Sequence, residues 1–208
     1  GFIMSIVTLN DRAVRSVTTF GSLNTGSMVF IKKLTASSSS TLSFVDGSSD
    51  VVLDSTYKEY IFMFRDIHPS GDGAHFSFNF SVDGGSNYNV TKTSSMFYAR
   101  HDEADSATAL NYNTSGDIAQ GTGIQTFARS LGNDNDSSAG GYLHLFNPSS
   151  TTFVKHYMGT VNYLEANDYT YNTFVAGYGN TTSAIDAVQF KMDSGNIDAG
   201  DICLYGIN

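Results

Sequence analysis

The sequence contains little charge, one cysteine and no long apolar run. Only 15% of its 208 residues are charged, with 11 Lys and Arg against 20 Asp and Glu, so the formal net charge is −9. Nucleic-acid binding needs a basic stripe, and the densest basic group is the pair Lys32 and Lys33. A nucleic-acid partner is therefore not expected. The lone Cys203 excludes an internal disulfide, and no apolar run approaches the roughly 20 residues of a membrane span, so membrane insertion is not expected either.

Regular alternation of aromatic and polar residues is what the sequence does contain. Phe76, Phe78 and Phe80 occupy every second position of FSFNFSV, with Ser and Asn between them, and the pattern stops at the Asp-Gly-Gly of residues 83–85. Alternation with a period of two indicates a strand with one apolar face. We expect the Phe face in the core, the Ser and Asn face in solvent or at a wet subunit contact, and a chain reversal at 83–85.

Similar patterns recur along the chain and predict an all-β protein. Each is bounded by a cluster of Gly, Asn, Asp or Ser, as is typical of strands joined by tight turns. Such spacing favours an antiparallel β-sandwich, and a jelly-roll-like arrangement is preferred. The apolar segment YIFMF at 60–64 is interpreted as a central strand covered on both faces. The predicted strands are 28–34, 41–45, 59–67, 75–82, 95–101, 124–131, 142–147, 153–164, 173–177, 187–193 and 201–205.

The first 25 residues differ from the rest of the chain. They contain turn formers but weak periodicity, and 11–17 is the one segment that could form a short helix. Two interpretations stay open: a peripheral strand and loop, or a short N-terminal arm that adds a strand to a neighbouring subunit. The predicted organisation is therefore an arm or peripheral segment at 1–25 and a single sandwich domain at 26–208. A signal peptide is not predicted, and Met4 is a candidate initiator.

The residues of common catalytic and metal sites lack the required spacing. There is no Gly-x-Ser-x-Gly motif, and the five histidines form no zinc pattern. His144 and His156 fall in consecutive predicted strands and could be cross-strand neighbours. Glu59 and Glu165 are the only Glu residues near strands, which is unlike the facing carboxylates of a glycosidase. We therefore expect no enzyme, no metal and no cofactor, and we expect Cys203 on an outer face or at an interface.

Two acidic segments are the candidates for calcium. HDEAD at 101–105 and NDND at 133–136 place several oxygen ligands on predicted loops, and calcium takes six to eight oxygens. The second segment lacks the spacing of an EF-hand loop, and short Asx-rich turns are common for backbone reasons. We expect both segments to be solvated turns.

Tyrosines concentrate in the last third of the chain. Tyrosine rings can bury a face while the hydroxyl stays wet, which suits either a sugar or a subunit interface. The alternative is that these rings pack along the sandwich. The candidates for glycan or subunit contact are Tyr157, Tyr163, Tyr169, Tyr171 and Tyr178.

Several strings resemble a known group of proteins. They are STYKEYIF at 55–62, SVDGGS at 81–86, LHLFNPSSTTFVKHY at 143–157 and FVAGYGNTTSAIDAVQFKMDSGNID at 174–198, together with the opening LNDRAVRSVTTFGSL. The chain resembles small virion structural proteins of marine tailed bacteriophages, often labelled tail-fibre-like. The resemblance spans nearly the whole chain and implies a place on the virion, but it carries over no catalytic or metal residue.

The sequence thus favours a non-enzymatic virion protein on the particle surface, either a tail fibre or appendage for host adhesion or a capsid decoration. The expected partners are other copies of the chain (a homo-oligomer, with a trimer as the first hypothesis), other virion proteins and a host-surface glycan. Two alternatives stay open: a secreted carbohydrate-binding β-sandwich module, and a filament subunit joined by its N-terminal arm.

Overall fold

The computed structural model describes residues 27–208, which form twelve β-strands and no helix. This confirms the predicted all-β antiparallel fold, whereas the proposed arm at 1–25 and the short helix at 11–17 lie outside the described residues. The strands are β1 (Met28–Thr35), β2 (Leu42–Val45), β3 (Glu59–Pro69), β4 (Ala74–Ser81), β5 (Lys92–Asp102), β6 (Thr108–Tyr112), β7 (Gln125–Leu131), β8 (Ala139–Phe146), β9 (Lys155–Glu165), β10 (Tyr169–Gly179), β11 (Ala187–Met192) and β12 (Ile197–Ile207).

The strands pair antiparallel into two layers. A large sheet has the order β1-β12-β3-β8-β9-β10-β5-β6, and a small sheet has the order β2-β11-β4-β7. The two layers join at one corner, where Leu131 of β7 pairs with Glu165 of β9. The large sheet therefore has eight strands against four in the small sheet.

The winding of the chain is that of a jelly roll with two inserted pairs of strands. The core of each sheet consists of four strands, β1-β12-β3-β8 and β2-β11-β4-β7. The chain passes back and forth between these two sets as in a double Greek key, except that β4 and β7 both belong to the small sheet. The pair β5–β6 is inserted between β4 and β7, and the hairpin β9–β10 between β8 and β11. Both insertions extend the same side of the large sheet.

Phenylalanines fill the space between the sheets. From the large sheet, Phe64 of β3 contacts Phe76, Phe127 and Phe190 of the small sheet, with ring centroids 5.2, 5.5 and 5.3 Å away. All four rings are buried, and such tilted and edge-on contacts are the favoured aromatic geometry. The alternating Phe face of β4 is therefore core, as predicted.

The expected exposure of the polar face of β4 is wrong. Ser77, Asn79 and Ser81 are buried, because the segments 82–92 and 113–124 cover them. The Asn79 amide donates to the backbone carbonyls of Tyr88 at 2.6 Å and Thr122 at 3.1 Å. Its Oδ1 accepts from the ammonium of Lys92. The side chains between the phenylalanines therefore tie loops to the sheet rather than meet solvent.

Lys92 is a buried cation that has no carboxylate partner among residues 27–208. Its side chain is 0% exposed, and its Nζ donates to Asn79 Oδ1 and to the carbonyl of Val90 at 2.9 Å. Burial lowers the pKa of the ammonium from 10.5 to about 8, since desolvation disfavours the charged form. Burial thus weakens the preference for the charged form, although the ammonium still predominates at neutral pH.

Eleven of the twelve strands were predicted, and one was missed. β6 (TALNY) is an edge strand, and four of its five residues are exposed. An edge strand with little buried surface has no alternating pattern to detect. The prediction that β3 is covered on both faces is also wrong. Ile61 and Met63 are only partly buried, because no described residue forms a second layer over them.

We predict that Gly141→Ala destabilises the fold. A Cβ at Gly141 of β8 would overlap the backbone of β9, at the carbonyl of Thr160 and 2.8 Å from the Cα of Val161. Because backbone must move to make room, the free energy of unfolding should fall by about 3 kcal/mol. Gly71→Ala is the matched control, since nothing lies within 4 Å of its Cβ position, and a change within about 0.5 kcal/mol is expected there. Equal effects in urea unfolding would contradict this account.

We also predict a pH dependence that belongs to Lys92. Its pKa is lowered on folding, so the unfolded chain binds more protons between pH 8 and 10.5, and stability rises with pH in that window. Relative to Lys92→Met, the wild-type free energy of unfolding should gain about 2 to 3 kcal/mol between pH 7 and pH 10. Comparison with the variant cancels the other groups that titrate. A difference that stays flat over this range would show that the ammonium is well solvated.

Candidate functional site

The aspartates of the loops are engaged in holding turns. Asp46 accepts from the backbone N–H of Leu53 at 2.8 Å, and Asp193 from that of His75 at 2.7 Å. Asp83 accepts from the backbone and side-chain N–H groups of Asn87 at 2.9 and 2.7 Å, and these bonds lower the pKa of Asp83 to about 2. Bonds within turns account for Asp46 and Asp83, and a bond to the neighbouring strand β4 accounts for Asp193.

The HDEAD segment at 101–105 is a turn of the same kind. Asp102 accepts from the hydroxyl of Ser106 and from the backbone N–H groups of Ser106 and Ala107, both at 2.8 Å. The Ser106 hydroxyl is the largest contribution that lowers the pKa of Asp102 to about 2. His101 and Asp105 form an exposed pair at 3.2 Å. Across residues 27–208, no group of three or more His, Cys, Asp or Glu side chains is placed to hold a metal.

The two histidines expected to be neighbours have separate partners. His144 lies opposite Met158 on β9, and His156 lies opposite Tyr178 on β10. The Nε2 of His144 contacts Glu59 Oε2 at 2.9 Å. The two histidines are therefore not a directly opposed pair, and Glu59 serves as a partner for a histidine on the adjacent strand.

Two of the five candidate tyrosines are in the interior, which corrects the expectation that they contact a glycan or a subunit. Tyr157 is buried with its ring 5.3 Å from Phe78 and 5.5 Å from Phe80. Tyr163 is buried, and its hydroxyl accepts from the backbone N–H of Arg129 at 3.0 Å. Burial raises the pKa of Tyr163 to about 12 and that of Tyr157 further. Neither ring can reach a partner from these positions.

The structure does bring Tyr163, Tyr169 and Tyr171 together, around Arg100. The ring of Tyr171 stacks on Tyr163 at 5.4 Å. Arg100 donates from Nη1 to the Tyr171 hydroxyl at 2.8 Å, and its guanidinium lies 4.8 Å from the centre of the Tyr169 ring. Tyr98 adds a further contact with Tyr171 at 5.0 Å. These rings pack on one another and on a cation, so this cluster supports the packing alternative. The fifth candidate, Tyr178, lies apart from it.

The largest candidate surface is the side of the large sheet that faces away from the small sheet, here called the outer face. Strand partners in register share a face, so the pairing aligns side chains into rows that cross the sheet. The first row contains Phe30, Tyr205, Ile61, His144, Met158, Ala176 and Ser95. The second row contains Lys33, Cys203, Met63, Tyr142, Thr160, Phe174, Phe97 and Tyr112.

Exposed apolar side chains gather on this face. In the described chain, seven of the ten exposed large hydrophobic residues lie there, so they form a patch rather than a scatter. Met158 is 54% exposed, and Tyr142 and Phe97 are each 43% exposed. The others are Met28, Phe30, Leu110 and Tyr112, and the remaining three (Val82, Ile124 and Phe153) lie in loops.

Charge is nearly absent from the two rows. Lys33 stands at the β1 edge, where Asp201 neutralises it at 3.1 Å. Glu59, in the next row along the strands, contacts His144. Between these positions the face presents Met, Ile, Tyr, Phe, Thr and Ser side chains, with a depression of about 170 Å³ lined by Phe97, Tyr142, Met158 and Phe174 among others. Such a surface is suited to contact with another apolar surface.

Cys203 lies in the second row but is only 2% exposed. It faces Met63 on β3 and Lys33 on β1. The strand register places Cys203 on the outer side of the sheet, as predicted, but the residue is buried rather than exposed.

Sequence reasoning missed the outer face although a signal for it was present. The segments YIFMF and YLHLF are apolar or aromatic at both odd and even positions. This pattern was interpreted for β3 as a strand covered on both sides. It equally fits a strand with one face in the core and one apolar face left uncovered by the described chain.

No protein-family model, curated protein or solved structure matches this chain. Within the described residues, no helix is both long enough and apolar enough to cross a membrane.

We predict that calcium leaves the melting temperature of the protein unchanged. The carboxylate oxygens of Asp102 already accept hydrogen bonds from its own turn, so a cation would have to displace them. Thermal unfolding with millimolar calcium and with a chelator should give the same midpoint. A rise of several degrees with calcium would show a site that the turn geometry does not reveal.

Proposed function

We propose that this chain is a non-enzymatic structural protein of a tailed bacteriophage particle. It would lie on the particle surface, as part of a tail fibre or appendage that contacts the host or as a capsid decoration. The observation that carries the proposal is the outer face, a largely apolar and aromatic surface with little charge that spans the large sheet. A surface of this kind is built for contact with another protein.

The fold is compatible with this proposal. Jelly rolls occur in viral capsid proteins and in lectins, and a fold by itself does not assign a function. The resemblance of several sequence strings to virion proteins supports the first of these two classes. The second class loses support because the tyrosines that suggested a sugar site pack on one another and on Arg100.

A structural role on the particle also agrees with the hydrogen bonds that the polar side chains make. The aspartates described above hold turns, and Asn79 ties two loops to the sheet. Tight hydrogen-bonded turns limit local opening, and low local opening protects a chain from proteolysis. Resistance of this kind is what exposure outside a cell demands of a particle protein.

We predict that the protein is a stoichiometric component of purified particles and is accessible on them. Antibodies against the folded chain should label intact virions in electron micrographs, and the chain should be found in gradient-purified particles by mass spectrometry. Labelling at the tail would select the appendage role, and labelling over the head would select decoration. Presence in the infected-cell lysate with absence from purified particles would overturn the proposal.

A further inference from the structure

We infer that the outer face of the large sheet is the surface through which two copies of this chain associate. This deepens the proposed function by naming the contact surface and its occupant. It rests on that function only for the expectation that the protein assembles.

The area of the outer face is sufficient for a stable dimer. Strands lie about 4.8 Å apart and alternate residues about 7 Å apart. The large sheet has eight strands, and a third row with Met28, Ile207, Glu59, Phe146, His156 and Tyr178 flanks the first. The second row crosses eight strands and the first and third rows cross seven each. Together the three rows cover about 700 Å², close to the ~800 Å² that each partner buries in a standard interface.

Charge favours a second copy as the occupant. Each chain carries a formal net charge of −9, so two copies repel through most of their surfaces. The outer face bears less of this penalty, because Lys33 is paired with Asp201, Arg65 lies opposite the same Asp201, and Glu59 contacts His144. In a twofold dimer the same patch meets itself, which requires a patch that does not repel its own copy.

The shape of the face supports the same occupant. Two sheets pack about 10 Å apart when side chains from both interdigitate. The outer face offers both projections and depressions for this: Met158 and Tyr142 project from β9 and β8, and a depression of about 310 Å³ is lined by Met28, Ile61, Met63, Tyr142 and His144. Face-to-face pairing of two large sheets would bury these side chains as the small sheet buries those of the opposite face.

The test is the mass of the full-length chain in solution across a concentration series. The monomer mass is 22.4 kDa, and light scattering after size exclusion should give about twice that value, or a higher multiple, for the wild type. Met158→Glu places a like charge from each copy in the shared interface and should weaken association by about a hundredfold or more, so that the monomer dominates.

Phe153→Glu is the matched control. Phe153 is 68% exposed and lies outside the strands, so the same change in charge and apolar area should leave the mass unchanged. Circular dichroism and thermal unfolding establish that both variants fold. Tyr142→Glu, on the neighbouring strand, should repeat the effect of Met158→Glu if either single result is affected by folding.

Three outcomes would overturn the inference. The wild type could remain a monomer up to about 100 μM, well above the dissociation constant of a standard interface. Its oligomers could persist in Met158→Glu and Tyr142→Glu. It could gain mass only when other particle proteins are added, which would make a different virion protein the occupant. None of these results bears on whether the chain is found on the particle, so failure of this inference and failure of the proposed function are separable.

Discussion

Every β-sheet presents two faces, and apolar side chains gain free energy only on a face that another surface covers. In this protein the large sheet has eight strands and the small sheet has four. The small sheet covers the inner side of β1, β12, β3 and β8 and extends over β9, where Tyr157 contacts Phe78 and Phe80. Beyond it, the inner side of the inserted strands is covered by loop 113–124, which bonds to β5 through Ser94, and by the tyrosines around Arg100. Nothing in residues 27–208 forms a layer over the outer face.

The sequence predicted the strands wherever burial of one face requires apolar and polar residues to alternate. β4 and β11 alternate strictly because one face is core, and the turn at 83–85 is visible because Gly84 and Gly85 adopt positive φ. The antiparallel sandwich and its jelly-roll winding could be predicted on this basis. β6 could not, since an edge strand leaves too few buried positions to set a pattern. The polar face of β4 was misjudged because alternation shows that two faces differ, without showing what covers the second.

The same limit applies to the candidate sites. A run of tyrosines in the sequence does not tell whether the rings face solvent, and here Tyr157 and Tyr163 point into the core while Tyr178 points outward. Arg100, which contacts Tyr169 and Tyr171, gave no signal because these partners come from another strand. The outer face depends on eight strands in register, and register between distant segments is not readable from one sequence. The local sequence signal for the outer face was limited to segments with apolar residues at both odd and even positions, such as YIFMF.

Cys203 offers an unexpected experimental handle. The chain has one cysteine, and its thiol lies in the second row of the outer face with 2% of its surface exposed. Reaction of a buried thiol requires a local opening that exposes the sulfur. Its alkylation rate therefore reports how often β12 opens locally between β1 and β3, and no engineered label is needed. Slower alkylation of Cys203 in the assembled protein would show that another molecule covers the outer face.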